Sequence, residues 1–278
     1  MYDNFWAKIE KNKRPPRYIK KVKVINAKKF YNFVRKNSEN KIKKIIQNLY
    51  EGDFYIIRGS VKKKFIDKLI KQLSNFSKKN PSSYYKMKEN CPNFWRKVSE
   101  NEAKKYSFMA IKDAYYFFRW NKENFQLWKN FNKIWSYLKY LGGLNFDTYE
   151  KNTPKNRIVD RIQIARYPEN TGFCELHSHP PKNQRLIISV YMSEIKKDYL
   201  LGGTHFFKKK KKIKVEHKIT KGDVGIFYST LYHGVDPVKL SKYQKSKLNP
   251  GRWWCGLYSP ESNHFKKRHT SSPARKIN

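Results

Sequence analysis

The sequence predicts an α+β protein in which a mainly helical N-terminal part precedes an all-β half. Before residue 150, apolar side chains recur at helical spacing in several segments. After Tyr149 the chain breaks into short runs of strand composition, separated by turn signals such as Gly202-Gly203 and Pro250-Gly251. Short strands that follow one another so closely are typical of a sandwich or barrel.

The helices of the first part are predicted from apolar periodicity and from their end signals. Residues 27–52 show helical spacing with a break near Asn37-Ser38, and Ser60 is the predicted N-cap of the next helix. The most regular pattern spans residues 122–141, and Gly142-Gly143 ends it. Its aromatic stripe is interpreted as the face that packs on a sheet.

The strands of the second part are predicted from β-branched and aromatic composition. One short run, "DFYIIRG", lies in the first part. The others are "RIVDRIQIARY", "QRLIISVYMS", "GTHFF", "KIKVEHKIT", "DVGIFYS" and "RWWCGLYS". This layout divides the chain into a mainly helical part (1–150), a β core (151–262) and a basic C-terminal tail (263–278).

Composition excludes several classes of protein. The formal charge is +40, with 62 lysines and arginines. The chain has high contents of Lys, Asn, Ile, Tyr and Phe together. The charge is therefore interpreted as a solvated surface, and nucleic acid is not the expected partner. No apolar run is long enough to span a bilayer. Three scattered cysteines indicate reduced thiols and a cytoplasmic location.

Two histidines stand one residue apart at the end of a predicted strand. Residues two apart in a strand face the same way, so His177 and His179 are expected to point together, and Glu175 would join them if the strand extends that far. His233, at the end of a later core strand, is the candidate third ligand. Neutral imidazoles suit iron, zinc, copper or nickel, so these residues predict a metal site.

The order of motifs over residues 158–260 resembles the iron(II)/2-oxoglutarate-dependent dioxygenases. The motifs are "DRIQIARYPENTGFCELHSH", "RLIISVYMSE", "LGGTHFF", "KGDVGIFYSTLYHGVDPV" and "GRWWCGL". The resemblance implies a double-stranded β-helix, or jelly-roll, core with the mainly helical half packed against it. It also implies a hydroxylase that uses Fe(II) and 2-oxoglutarate on a small-molecule substrate, for which the positive charge suggests an anion.

The resemblance assigns roles to individual residues. His177 and His233 would be the two histidine ligands of the metal. Arg252 would bind the distal carboxylate of 2-oxoglutarate, because a guanidinium forms two parallel hydrogen bonds with a carboxylate. Tyr167 falls where the family often has a hydroxyl that contacts the cosubstrate, and Gln163 shares its strand face.

The chain departs from the family at position 179. The family expects Asp or Glu there, as the carboxylate of a two-histidine, one-carboxylate triad. Here three alternatives stay open: His179 completes a three-histidine site, Glu175 supplies the carboxylate and His179 lies outside the ligand set, or the site is lost or altered. A third neutral ligand would leave the metal more positive.

Two other functions stay open from the sequence. One is a cupin-like three-histidine metalloenzyme that does not use 2-oxoglutarate; in that pattern Gln184 stands where cupins carry Glu. The other is a non-catalytic basic binding protein on a jelly-roll scaffold. Arg161 and Arg185 are candidates to contact an anionic substrate, with ordinary ion pairs at the rim of the barrel as the alternative.

Overall fold

The computed structural model describes residues 2–274. Its helices are α1 (Asp3–Asn12), α2 (Ala27–Arg35), α3 (Glu39–Tyr50), α4 (Lys63–Lys79), α5 (Glu100–Ala103), α6 (Leu127–Leu141) and α7 (Lys242–Lys245). Single 3₁₀ turns lie at Pro154–Asn156 and Glu216–Lys218. None of the helices described has the length and apolar composition that crossing a membrane requires.

Four strands come from the first part of the chain and nine from the second. They are β1 (Val22–Asn26), β2 (Phe54–Arg58), β3 (Phe94–Val98), β4 (Ala110–Phe118), β5 (Arg161–Tyr167), β6 (Phe173–Ser178), β7 (Leu186–Tyr191), β8 (Leu201–Lys208), β9 (Lys211–Lys214), β10 (Val224–Tyr228), β11 (His233–Lys239), β12 (Arg252–Tyr258) and β13 (Ser272–Pro273).

The predicted double-stranded β-helix is confirmed by the order in which the strands pair. One layer has the order β5-β12-β7-β10 and the other β6-β11-β8-β9, so the strands from β5 to β12 distribute over two facing layers as in a jelly roll. The pairing within these layers is antiparallel.

The N-terminal half both extends the first layer and covers it. Strands β2 and β1 continue this layer beyond β10, and β4 and β3 continue it beyond β5. β4 joins the two layers, because its start pairs with β6 and the rest of it pairs with β5. The division at residue 150 stays a prediction, since both parts of the chain contribute strands to one sheet.

Five helices, α1, α2, α3, α4 and α6, pack on the outer face of this first layer. Helix α6 buries Phe131, Trp135 and Leu138 there, as its aromatic stripe predicts. The helix starts at Leu127, five residues after the start of the predicted segment, because the carboxylate of Glu123 accepts hydrogen bonds from the backbone N–H groups of Phe125 and Leu127. β7 is buried on both faces, which explains its continuous apolar composition.

Between the two layers lie two smaller apolar clusters. One contains Phe54, Ile187, Phe206 and Phe227, and the other contains Tyr167 among its members. The candidate site lies in this inner space, where it is shielded from solvent by both layers of the roll.

Candidate metal centre

Three histidines converge at one end of the inner space. His177, near the end of β6, pairs directly with His233, the first residue of β11. His179 follows β6, and its backbone N–H donates to the carbonyl of Ser229 at 2.9 Å. The ring nitrogens of the three side chains lie within 4.8 Å of one another, so one ion can reach all three.

Hydrogen bonds fix the tautomer of each ring. The Nδ1 atoms of His177, His179 and His233 lie 2.8, 2.7 and 2.9 Å from the backbone carbonyls of Glu175, Thr270 and Leu231. A carbonyl oxygen only accepts, so each Nδ1 carries the proton and each Nε2 keeps its lone pair. The Nε2 of His179 is buried and has no hydrogen-bond partner in the described part of the chain. Metal-ligating histidines are commonly oriented in this way by backbone carbonyls.

The rings are held in the neutral form that metal binding requires. Burial, and then the neighbouring His233 and His179, lower the pKa of His177 well below its usual value. Burial lowers the pKa of His179 to about 4 and that of His233 to about 3. Three neutral nitrogen donors fit a divalent transition metal and fit magnesium or calcium poorly.

Glu175 points away from this cluster. Its side chain is exposed, and its carboxylate accepts a hydrogen bond of 2.6 Å from the backbone N–H of Met109. The register between β6 and β11 shifts between the pairs His177–His233 and Cys174–Val235, so a bulge places Cys174 rather than Glu175 on the side of His177. Simple alternation along β6 could not predict this bulge.

Tyr167 and Gln163, two of the predicted site residues on β5, line the cavity beside the histidines. Tyr167 is buried at its wall, and Gln163 lies on the same side of the strand. Phe108 closes another side and stacks on the ring of His177, with ring centres 4.4 Å apart. The cavity therefore combines a nitrogen cluster with aromatic walls and a few polar groups, as small-molecule sites do.

Arg252 lies deeper and is already paired with a carboxylate. Its Nη2 and Nε atoms donate to the same oxygen of Glu216 at 2.6 and 3.1 Å, and Nη2 also donates to the hydroxyl of Thr204 at 2.8 Å. Both charged side chains are almost fully buried, at 1% and 3% exposure. Only Nη1 of Arg252 is left without a partner among the described residues.

The two other predicted arginines have different surroundings. Arg185 lies outside the cavity, where it forms salt bridges with Asp3 and Glu10 of α1 at 2.8 Å each. These contacts make it an anchor for the first helix. Arg161 lines the cavity and donates to Gln163 at 2.9 Å. A second cation of the cavity wall, Lys112 on β4, was missed because this strand was not predicted.

Part of the predicted C-terminal tail borders the cavity. β13 pairs with β6 at Ser178 and His177. Residues 269–271 line the cavity, and the carbonyl of Thr270 is the hydrogen-bond acceptor of His179. This contact had no signal in the local sequence, because it joins residues that are far apart in the chain.

No protein-family model and no curated protein matches the chain, whereas solved structures do. A prolyl hydroxylase from Trichoplax adhaerens, in complex with a peptide of hypoxia inducible factor, is 15% identical over 81% of this chain and 91% of its own, with a TM-score of 0.48. A full-length Neurospora crassa protein in complex with alpha-KG and thymine is 12% identical over 87% and 86%, with a TM-score of 0.49. JOX2 in complex with 2OG, Fe and JA is 13% identical over 98% and 86%, with a TM-score of 0.49.

Proposed function

We propose that this protein is a non-haem iron(II)- and 2-oxoglutarate-dependent oxygenase that hydroxylates a small molecule. The observation that carries the proposal is the set of three neutral imidazoles, with their ring nitrogens within 4.8 Å of one another inside a double-stranded β-helix. A cytoplasmic location belongs to the same proposal, and the three cysteines, all free and buried, support it.

The residues have separate tasks in this proposal. His177, His179 and His233 would hold the metal through Nε2, while the backbone carbonyls at Nδ1 keep the rings oriented. Iron(II) together with 2-oxoglutarate supplies the oxidising chemistry, in which O2 is consumed, succinate and CO2 are released, and a substrate C–H bond is hydroxylated. Tyr167 and Gln163 offer polar contacts on the cavity wall, and Phe108 limits access of water to His177.

Three ligands from the protein leave coordination positions for small molecules. An octahedral ion has six positions, so three remain after the histidines bind. Because all three protein ligands are neutral, the ion keeps its full double charge, and an anionic ligand is favoured beside it.

Metal binding is the first test. A metal present at about 100 times its Kd stabilises the folded chain by about 2.7 kcal/mol, which raises the Tm by roughly 5–10 °C. His177→Ala and His233→Ala should abolish this rise. His217→Ala, at an exposed histidine outside the site, is the matched control and should keep it. A wild-type chain that binds no transition metal would refute the proposal.

The cosubstrate is tested by turnover. Iron-loaded protein should release succinate from 2-oxoglutarate under O2, and the rate should rise when a substrate is present. The His177→Ala variant should show none. If iron binds but no candidate substrate elicits succinate, the metal centre stands and the use of 2-oxoglutarate does not.

One observation favours a second candidate, a three-histidine metalloenzyme that does not use 2-oxoglutarate. Arg252, which the family resemblance assigns to the distal carboxylate, is paired inside the protein with Glu216. The double variant Arg252→Met/Glu216→Gln removes both charges together, so neither is left buried alone. Activity that survives in this variant and needs no 2-oxoglutarate would favour the second candidate.

A further inference from the structure

The cavity next to the histidines contains two cations that the protein leaves without a carboxylate. Lys112 on β4 and Arg161 on β5 both line this cavity, and both are half-buried. Within residues 2–274, no carboxylate oxygen lies within 4.0 Å of the side-chain nitrogens of either residue. By contrast, Arg96 on β3 and Arg166 on β5 each pair with a carboxylate.

The guanidinium of Arg161 is held in a fixed position and still has hydrogen-bond donors that a ligand could use. Its Nη2 donates to Gln163, which holds the guanidinium in place, while its buried Nε has no partner among the described residues. The guanidinium carbon lies 5.3 and 5.8 Å from the ring centres of Tyr116 and Tyr258. These rings support the charge but supply no anion.

Both cations act on the same end of the cavity as the metal ligands. Burial is the main reason why the pKa of His179 is low, and the charges of Lys112 and Arg161 lower it further. Burial also lowers the pKa values of Lys112 and Arg161 themselves, because it disfavours a charge that has no counter-ion beside it. A bound anion would offset this cost.

Arg252, the residue that the family resemblance assigns to an anion, already has a carboxylate partner. Glu216 neutralises Arg252 and also accepts hydrogen bonds from the hydroxyl of Tyr199 and the backbone N–H of Thr204. The position of Gly203 makes room for it, because a Cβ there would lie 2.3 Å from Cγ of Glu216. The carboxylate is therefore a built-in counter-ion of Arg252.

We infer that Lys112 and Arg161 form the subsite that binds a carboxylate of the small molecule in this cavity, the task that the resemblance gives to Arg252. The inference rests on the proposed function in that the same cavity receives the ligand. The carboxylate belongs either to 2-oxoglutarate, at the end distant from the metal, or to the substrate.

The test compares ligands that differ by one carboxylate, on protein loaded with Mn(II) under anaerobic conditions. 2-Oxovalerate has the chain length of 2-oxoglutarate with a methyl group in place of the distal carboxylate. Benzoate, added to protein saturated with 2-oxoglutarate, serves as the probe of a substrate carboxylate. Calorimetry gives each Kd for the wild type, Lys112→Met, Arg161→Gln and the control Lys97→Met, which removes one charge at an exposed position of β3.

Each source predicts its own result. If the pair binds 2-oxoglutarate, the first two variants weaken its binding about 10-fold or more and leave 2-oxovalerate unchanged. If the pair binds the substrate, the two variants bind 2-oxoglutarate with the wild-type Kd, and their affinity for benzoate falls about 10-fold or more. Lys97→Met should match the wild type throughout. Both variants should fold, since each removes a half-buried charge that has no carboxylate beside it, and a Tm near the wild-type value checks this.

Other results overturn the inference or separate it from the proposed function. The inference is overturned if Lys112→Met and Arg161→Gln bind all three ligands with the Kd values of the wild type. It is also overturned if the wild-type protein binds none of the three ligands. A protein that binds benzoate through these two residues in the absence of 2-oxoglutarate, yet binds no 2-oxo acid, would refute the use of 2-oxoglutarate and leave the carboxylate subsite in place.

Discussion

The buried pair of Arg252 and Glu216 makes a strong prediction about stability. In Glu216→Gln the side chain keeps its shape and one acceptor oxygen. The guanidinium of Arg252, with 1% of its side chain exposed, then loses the one counter-ion that it has among residues 2–274. Breaking a buried ion pair by removing one partner costs about 3–5 kcal/mol. Because the glutamine oxygen can still accept from Arg252, we expect a value near the lower limit, about 3 kcal/mol. For a domain of this size, that lowers the Tm by roughly 6–12 °C.

The assay is thermal and urea denaturation at neutral pH, with an exposed pair as the control. Glu39 and Lys43 are four residues apart on α3 and both are solvent-accessible. Glu39→Gln removes the same charge and should change the stability by less than about 0.5 kcal/mol. The double variant Arg252→Met/Glu216→Gln should recover most of the loss, since it leaves no buried charge behind and keeps an amide oxygen as an acceptor for the backbone N–H of Thr204. If Glu216→Gln melts within about 2 °C of the wild type, which corresponds to a loss of about 1 kcal/mol or less, the pair is not the buried counter-ion system described above.

Three further outcomes are expected. Gly203→Ala should destabilise the fold by at least about 2 kcal/mol in thermal denaturation, because φ is +97° there and the new Cβ would collide with Glu216; an unchanged Tm would contradict the close approach. Deleting residues 269–278 removes the carbonyl that orients His179, so metal affinity measured by chelator competition should fall about 10–100-fold; an unchanged affinity would show that the carbonyl does not orient the ring. Burial raises the pKa of Cys174 to about 11, and all three thiols are buried, so iodoacetamide at pH 8 should label the unfolded chain and spare the folded one; fast labelling of the native protein would place these thiols in an open environment.

Patterns that depend on neighbours in the sequence predicted the fold well. The aromatic spacing of α6 and the turn signals after Tyr149 depend on local chemistry, and the structure agrees with both. The convergence of His177 and His233 also follows, once the jelly-roll order is assumed, because β6 and β11 are then adjacent. Once the order of the strands in the sheet is known, the order of the motifs in the sequence shows which of them lie close together.

Features that depend on distant partners could not be predicted. The orientation of Glu175 is set by a bulge opposite β11, and the role of Arg185 is set by carboxylates in α1. Likewise, the sequence around Arg252 does not predict its ion pair with Glu216, which lies on a 3₁₀ turn before β10. Ion pairs between segments that are far apart in the chain leave no periodic pattern in the sequence. The charge pairing around the cavity therefore could not be predicted without the fold.

The cross-strand pairing of His177 with His233 has a consequence for how the protein matures. The two rings come from segments that are synthesised well apart, and they meet only when the roll has closed around them. No shorter piece of the chain that lacks either strand can assemble the cluster. An ion held by all three rings would therefore require β6 and β11 to be paired, so its binding is coupled to the formation of this part of the roll.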